Sequence, residues 1–118
     1  MHLLSDTRIN RQEMTAIEQA ISHLELHFSE KISAYDLSDL FHIPLKKLQA
    51  GFKRKVGFTI HDYLSSVRLS HAKTFLAGED ALKCIPYKVG YRSSSHFGQF
   101  FKKLVGITPA EYRFSQQQ

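Results

Sequence analysis

The segment Ile43–Leu64, IPLKKLQAGFKRKVGFTIHDYL, returns 49 residues later as Arg92–Phe114, RSSSHFGQFFKKLVGITPAEYRF. The register holds along its length: Leu48 falls on Phe97, Phe52 on Phe101, Lys53 on Lys102, Gly57 on Gly106, Thr59 on Thr108 and Tyr63 on Tyr112. Each copy reads as a helix with one apolar face and basic residues near its C-terminal end. A glycine then stops it, and a threonine caps the next helix. Two copies are too few for a solenoid. A chain carrying one module twice must bury two similar apolar faces and present two similar outer surfaces.

The 118 residues suffice for one compact domain or two small lobes, and 42% hydrophobic content supports a core. The single cysteine, Cys84, excludes an internal disulfide framework and a cysteine-built zinc site. It fits a reducing compartment, hence an expected cytoplasmic location. No apolar run approaches the roughly 18 residues of a membrane span, and the N-terminus does not read as a signal peptide. Charge is unevenly spread. Residues 1–40 hold three bases against seven acids, net −4, whereas residues 41–118 hold thirteen bases against four acids, net +9. That asymmetry points to a polyanionic partner for the later part.

Residues 1–11 lack a clear period and read as a tail or incoming linker. The spacing Met14, Ile17, Ile21, Leu24, Phe28 predicts a first helix from about Gln12 to near Ser29, with Glu13, Glu18 and Glu25 on its polar face. Ser33-x-x-Asp36 is a capping box opening a second helix with apolar Leu37, Leu40 and Phe41. After a short turn at His42-Ile43, Pro44 suits the first position of a third helix. Leu45, Leu48 and Phe52 face inward, and Gly57 stops it. A short helix, a tight turn and a second helix with a basic outer face make a helix-turn-helix. Thr59-x-x-Asp62 opens a long fourth helix to Ala77, whose apolar positions are too many for one stripe. It reads as a strut of roughly 18 residues, about 27 Å long. Asp80 is placed to cap a fifth helix with Leu82, Ile85 and Val89. Pro86 fits only if that helix starts late. Ser93 or Ser94 caps a sixth helix that buries Phe97, Phe101 and Leu104, and Thr108-Pro109 starts a last one reaching about Phe114.

The predicted architecture is all-α, with about seven helices: two helix-turn-helix subdomains joined by a long linker helix. The tail spans 1–11, the first lobe 12–57, the linker helix 58–78, the second lobe 79–114 and a frayed end 115–118.

The first module, with Leu37, Leu48, Phe52-Lys53, Gly57, Tyr63-Leu64, Arg68-Leu69, Ala72 and Leu76, resembles the DNA-binding domain of AraC/XylS-type bacterial transcription regulators. The second resembles that family's signature. It runs Ile85-x-x-x-Val89-Gly90-Tyr91-x-x-x-Ser95-x-Phe97-x-x-Phe100-Phe101-Lys102-x-x-x-Gly106-x-Thr108-Pro109-x-x-Tyr112-Arg113. The resemblance covers about residues 12–114. It implies that the third and sixth helices enter adjacent major-groove segments, which lie about 34 Å apart on one side of B-DNA.

Carried across, the family's groove positions fall on Lys46, Lys47, Gln49 and Ala50 in the third helix and on Ser94, Ser95, His96 and Gln99 in the sixth. Gln pairs with adenine and Lys donates to guanine. Short hydroxyls near a helix start suit phosphate as well as base contact, and a serine there is also the ordinary cap. Ala50 stands where the family often has Arg, so a base contact is expected to be missing there. Lys53, Arg54, Lys55, Lys102 and Lys103 lie late in their helices and suit phosphates. The plain alternative for all these lysines is a solvated outer face. Gly51 and Gly98 interrupt the two helices, at roughly 1 kcal/mol each relative to Ala. Pro44 replaces a usual capping Ser, and Pro86 a small helix former.

His23 and His27, four apart, share a face, but Glu25 does not follow the first His as in a zinc-peptidase helix and no third ligand stands out. No metal, cofactor or catalytic constellation is expected, and no enzyme. The resemblance implies sequence-specific binding of double-stranded DNA in transcription regulation, with activation through RNA polymerase more often than repression. It also implies a sensor or dimerisation domain outside these residues, so the chain is expected to be either a stand-alone regulator or a fragment. A protein-interaction domain that has kept the fold and lost DNA binding is the alternative, which Ala50 and Pro86 favour.

Overall fold

A computed structural model of the protein describes residues 8–118. These hold seven α-helices and no strand: α1 Arg11–Leu26, α2 Ala34–Leu40, α3 Leu45–Val56, α4 Ile60–Ala77, α5 Ile85–Lys88, α6 Ser94–Val105 and α7 Pro109–Gln116. Two compact units divide between Ser65 and Ser66, inside α4. No helix among the described residues is long and apolar enough to cross a membrane.

In the first unit, α1 begins inside the segment read as a tail; residues 1–7 of that reading lie outside the described residues. Asn10 is its cap. The Asn10 side chain accepts from the Glu13 N–H at 2.7 Å, and the Asn10 N–H donates to Glu13 Oε1 at 3.0 Å. Ile9 packs on the core beside it. Ile17 and Leu24 are fully buried with Ala16 and Ala20; Met14, Ile21 and Phe28 lie at the rim. The helix ends at Leu26, three residues before the expected stop. His27 leaves helical geometry, and Phe28 turns to pack on the core.

The Ser33 capping box makes both its hydrogen bonds. Of the three apolar residues assigned to α2, Leu40 is 52% exposed. A helix of seven residues buries one narrow stripe, Ala34, Leu37 and Phe41, and Leu40 lies off it. In α3 the buried residues are Leu48, Gly51 and Phe52, while Leu45 is half-buried. Pro44 is the residue before the helix rather than its first, with extended ψ of 137°.

Helix α4 has the expected span. Its start buries Ile60 and Leu64 in the first unit; its end buries Ala72 and Leu76 in the second. Thr59 Oγ1 accepts from the Asp62 N–H at 3.1 Å.

In the second unit the proline conflict resolves as the late-start argument required. A 3-10 turn, Leu82–Cys84, comes first, and Pro86 sits in the first turn of the short α5, where it is buried. Two expectations fail here. Asp80 does not cap the segment; its carboxylate meets Lys88 Nζ at 3.1 Å, and Ala81 precedes the 3-10 turn. Leu82 is 37% exposed, so Ile85 and Val89 carry the burial. In α6, Phe97 and Phe101 are core but Leu104 is 53% exposed, because it lies in the last turn beyond the packed residues. Helix α7 extends to Gln116, past the expected Phe114, and takes in part of the end read as frayed.

The repeat is visible in the packing. Phe52 meets Tyr63 edge to face, with ring centroids 5.5 Å apart and planes at 75°. Forty-nine residues on, Phe101 meets Tyr112 at 5.5 Å and 73°. Two long-range contacts then fasten the second unit. Arg113 donates to the carbonyls of Leu76 at 2.9 Å, Phe75 at 3.2 Å and Asp80 at 2.6 Å, closing the C-terminal end of α4. Gly90, at φ +101°, lies under the Arg68 guanidinium; a Cβ there would meet it at 2.9 Å. Arg68 also sits 5.6 Å from the Tyr91 ring centroid.

Candidate nucleic-acid interface

The turn before α3 is held firmly. His42 adopts left-handed φ of 54°, which few non-glycine residues do. Ser38 Oγ donates to the Ile43 carbonyl at 2.6 Å, and the Ile43 N–H donates to the Ser38 carbonyl at 3.1 Å. Buried Ile43 anchors the corner. At its far end α3 stops at Gly57, with φ +85°, whose N–H reaches the Lys53 carbonyl at 2.8 Å. Lys53, Arg54 and Lys55 in the last turn complement the negative end of the helix.

The outer face of α3 carries Lys46, Gln49, Ala50 and Lys53 at helical spacing i, i+3, i+4, i+7. With Arg54 they form one wall of a groove of about 880 Å³. Ile32, Ser33 and Ala34 at the start of α2 and Thr59, Ile60, His61 and Leu64 at the start of α4 form the rest. Lys46 and Lys53 have no ion-pair partner among the described residues.

The other lysines of α3 lie elsewhere. Lys47, on the flank toward α1, places Nζ 2.9 and 3.2 Å from the two oxygens of Glu13. Lys55 meets Glu18 at 3.2 Å. The Asn10 backbone hydrogen bond, then Lys47, holds the Glu13 carboxyl below its usual range. A third α1 acid, Glu25, accepts from the Tyr63 hydroxyl and pushes it up to about 12. The acidic face of α1 therefore turns toward α3 and α4 and takes Lys47 and Lys55 with it. The sequence candidates on α3 split into an outer set, Lys46, Gln49, Lys53 and Arg54, and an α1-paired set, Lys47 and Lys55.

In α6, Ser93 is the cap: its hydroxyl accepts from the His96 N–H at 3.1 Å. Ser94 is released from that duty and lies exposed in the first turn. Ser95, Gln99 and Lys102 share the outer face, flanked by His96 and Lys103, opposite buried Phe97 and Phe101. Gly106, at φ +97°, ends the helix as Gly57 does. Glu111, whose carboxyl the Thr108 backbone hydrogen bond holds below its usual range, is attracted also to Lys102. By the 49-residue register Lys53 answers to Lys102, Arg54 to Lys103 and Ala50 to Gln99.

Sequence reasoning missed the groove's other walls, Ile32, Ala34 and His61. Their only signal was position: each flanks a cap, Ser33 or Thr59, at a helix start that faces α3. His23 of α1 and His27 just past its end stack at 4.4 Å, and His27 Nδ1 lies 2.8 Å from Glu30.

A family model described as a helix-turn-helix domain matches residues 37–115. The probable transcriptional regulator LumQ of Photobacterium leiognathi is 31% identical over 113 residues, which cover 95% of this chain and 44% of that protein. The transcriptional activator RhaS of Enterobacter sp. (strain 638) is 32% identical over 98 residues, 82% of this chain and 35% of that one. This chain thus spans less than half the length of either. In structure, a transcriptional regulator from Chromobacterium violaceum, described as of AraC-type DNA-binding domain-containing proteins, superposes with TM-score 0.78 at 24% identity, covering 92% of this chain and 98% of that one.

Proposed function

This chain belongs to the AraC-type helix-turn-helix family, and from that premise we propose that it binds double-stranded DNA sequence-specifically to regulate transcription, as an activator. α3 and α6 are the recognition helices, each in its own segment of major groove on one duplex. The observation that carries this reading is the outer face of α3: Lys46, Gln49 and Lys53 at groove spacing, while Glu13 and Glu18 of α1 pair with Lys47 and Lys55 on the flank instead.

Lys46 and Gln49 read bases in the first lobe, and Ser95, His96 and Gln99 in the second. Lys53, Arg54, Lys102 and Lys103 neutralise phosphates. Ser94 serves phosphate or base from the first turn of α6. Lys47 and Lys55 reach DNA only by giving up Glu13 and Glu18, so their share is smaller. Phosphate neutralisation supplies most of the affinity and the outer faces supply the discrimination. The lobes, residues 12–57 and 79–114, are joined by the linker helix within 58–78. RNA polymerase and a sensor or dimerisation domain outside this chain are the further partners the family implies, in the cytoplasm at the nucleoid.

The test is selection from a randomised duplex library at about 150 mM salt, near physiological ionic strength. A bipartite site with halves about one helical turn apart is expected. Enrichment of one half alone would reduce the second lobe to a backbone clamp. Binding that enriches nothing and vanishes as salt rises would sink the specific reading and leave the interaction-domain alternative.

A further inference from the structure

We propose that Ala50 is itself a specificity-determining residue, whose methyl group takes the C5-methyl of a thymine in the half-site read by the first lobe. The proposal rests on the DNA-binding reading above and sharpens it.

Ala50 lies in the middle of the outer face of α3, between Lys46, Gln49 and Lys53, and is half-buried. It belongs to the groove wall, where Ile32, Ala34, Ile60 and Leu64 make the surroundings predominantly apolar. The equivalent position on α6 is Gln99, exposed on the outer face of that helix. One slot of the repeated module thus holds a hydrogen-bonding amide in one lobe and a bare methyl in the other. The loss of a polar group does not silence the slot. Of the groups that bases present in the major groove, the thymine methyl is the one an apolar side chain matches. Burying two methyls against each other removes both from water. A cytosine amino group brought to the same place would lose its hydration and find no acceptor on Ala50. The short side chain also lets the helix backbone come nearer the base edge than a glutamine would. Beside it, Gln49 is suited to adenine N6 and N7. The pair therefore predicts an A·T-rich core in the first half-site.

The experiment changes the DNA rather than the protein. Each thymine of the selected site is replaced singly by deoxyuridine, which removes only the C5-methyl, and affinity is measured by fluorescence anisotropy. The first half-site is the one whose base preference Gln49→Ala relaxes. Wild-type protein is expected to lose about fourfold at one thymine of that half, the worth of one buried methyl. Ala50→Gly, checked for folding by its thermal melt, is expected to bind the thymine and uracil forms alike there. Indifference of wild-type protein to every such replacement in that half overturns the proposal, as does discrimination that survives in Ala50→Gly. These results leave DNA binding intact. A library that enriches no site removes the underlying reading and this proposal together.

Discussion

Glycines interrupt both repeated helices, for different physical reasons. Gly51 is buried where α3 crosses α1, and a Cβ there would lie 2.2 Å from Ile17 Cδ1. Ile17 is itself fully buried, so its side chain has little room to yield. Overpacking costs about 1–3 kcal/mol, against a helix-propensity gain of about 1 kcal/mol. Gly51→Ala is therefore expected to destabilise by about 1 kcal/mol in urea titration, and Ile17→Val, by removing the clashing carbon, to suppress part of that loss in the double variant. Gly98 has nothing within 4 Å of its would-be Cβ. Gly98→Ala is expected to stabilise by up to about 1 kcal/mol. Both glycines look like the same defect in sequence, since propensity is a local quantity and the neighbour that explains Gly51 lies 34 residues earlier. The same separation hid the Lys47–Glu13 pair, so a lysine with the right spacing for base reading is not marked, in sequence, as already engaged.

At the scale of the element, what governs a helix end lies within three or four residues of it, which is why the caps at Ser33, Thr59 and Thr108 and the stops at Gly57 and Gly106 were legible from sequence, and the cap of α6 was narrowed to Ser93 or Ser94. The end of α1 was less so, because the packing of Phe28 on the core decided it. Caps also set acid sensitivity. Hydrogen bonds from the Ser33 and Thr108 backbones hold Asp36 and Glu111 below their usual carboxylate range. A depressed folded value means stability that is present above the unfolded value and lost as pH falls through the folded one. Thr108→Ala is expected to cost about 1 kcal/mol near neutral pH through the lost cap, whereas Glu111→Gln, which removes the titrating carboxylate, is expected to lose stability relative to wild type at neutral pH and to narrow that gap below about pH 4. Tyr63 has the opposite sign. Glu25 raises it to about 12. Its contribution is complete below about pH 10, the ordinary tyrosine value, and is lost as pH rises toward 12. Tyr63→Phe is expected to flatten that alkaline limb relative to wild type, measured by thermal melting at stepped pH.

Across the whole chain, charge is sorted rather than merely abundant. Residues 1–40 carry net −4, yet the acids Glu13 and Glu18 are spent on Lys47 and Lys55. Lys46 and Lys53 are left on the outer face of α3 with no ion-pair partner among the described residues. Lys53→Ala is expected to lower the slope of log affinity against log salt by about one, for all duplexes alike. Lys55→Ala is expected to change it by clearly less, because its ammonium already faces Glu18. Equal effects at the two positions would mean that the Glu18 pair dissolves on binding. The two-lobed helical architecture was legible because the module repeats, and a repeat fixes periodicity, stop and cap together. Which lysine faces which partner was not, because that depends on how α1 lies across α3.

The Arg113 guanidinium, which closes the carbonyl end of α4 from the last helix, bears on where a working fragment can be cut. Every proposed base or phosphate contact lies before Glu111, so a chain ended at Tyr112 keeps all of them on paper. It would leave the carbonyls of Phe75, Leu76 and Asp80 without their donor. Shortened versions of this protein should therefore lose the second lobe's melting transition before they lose any residue that touches DNA.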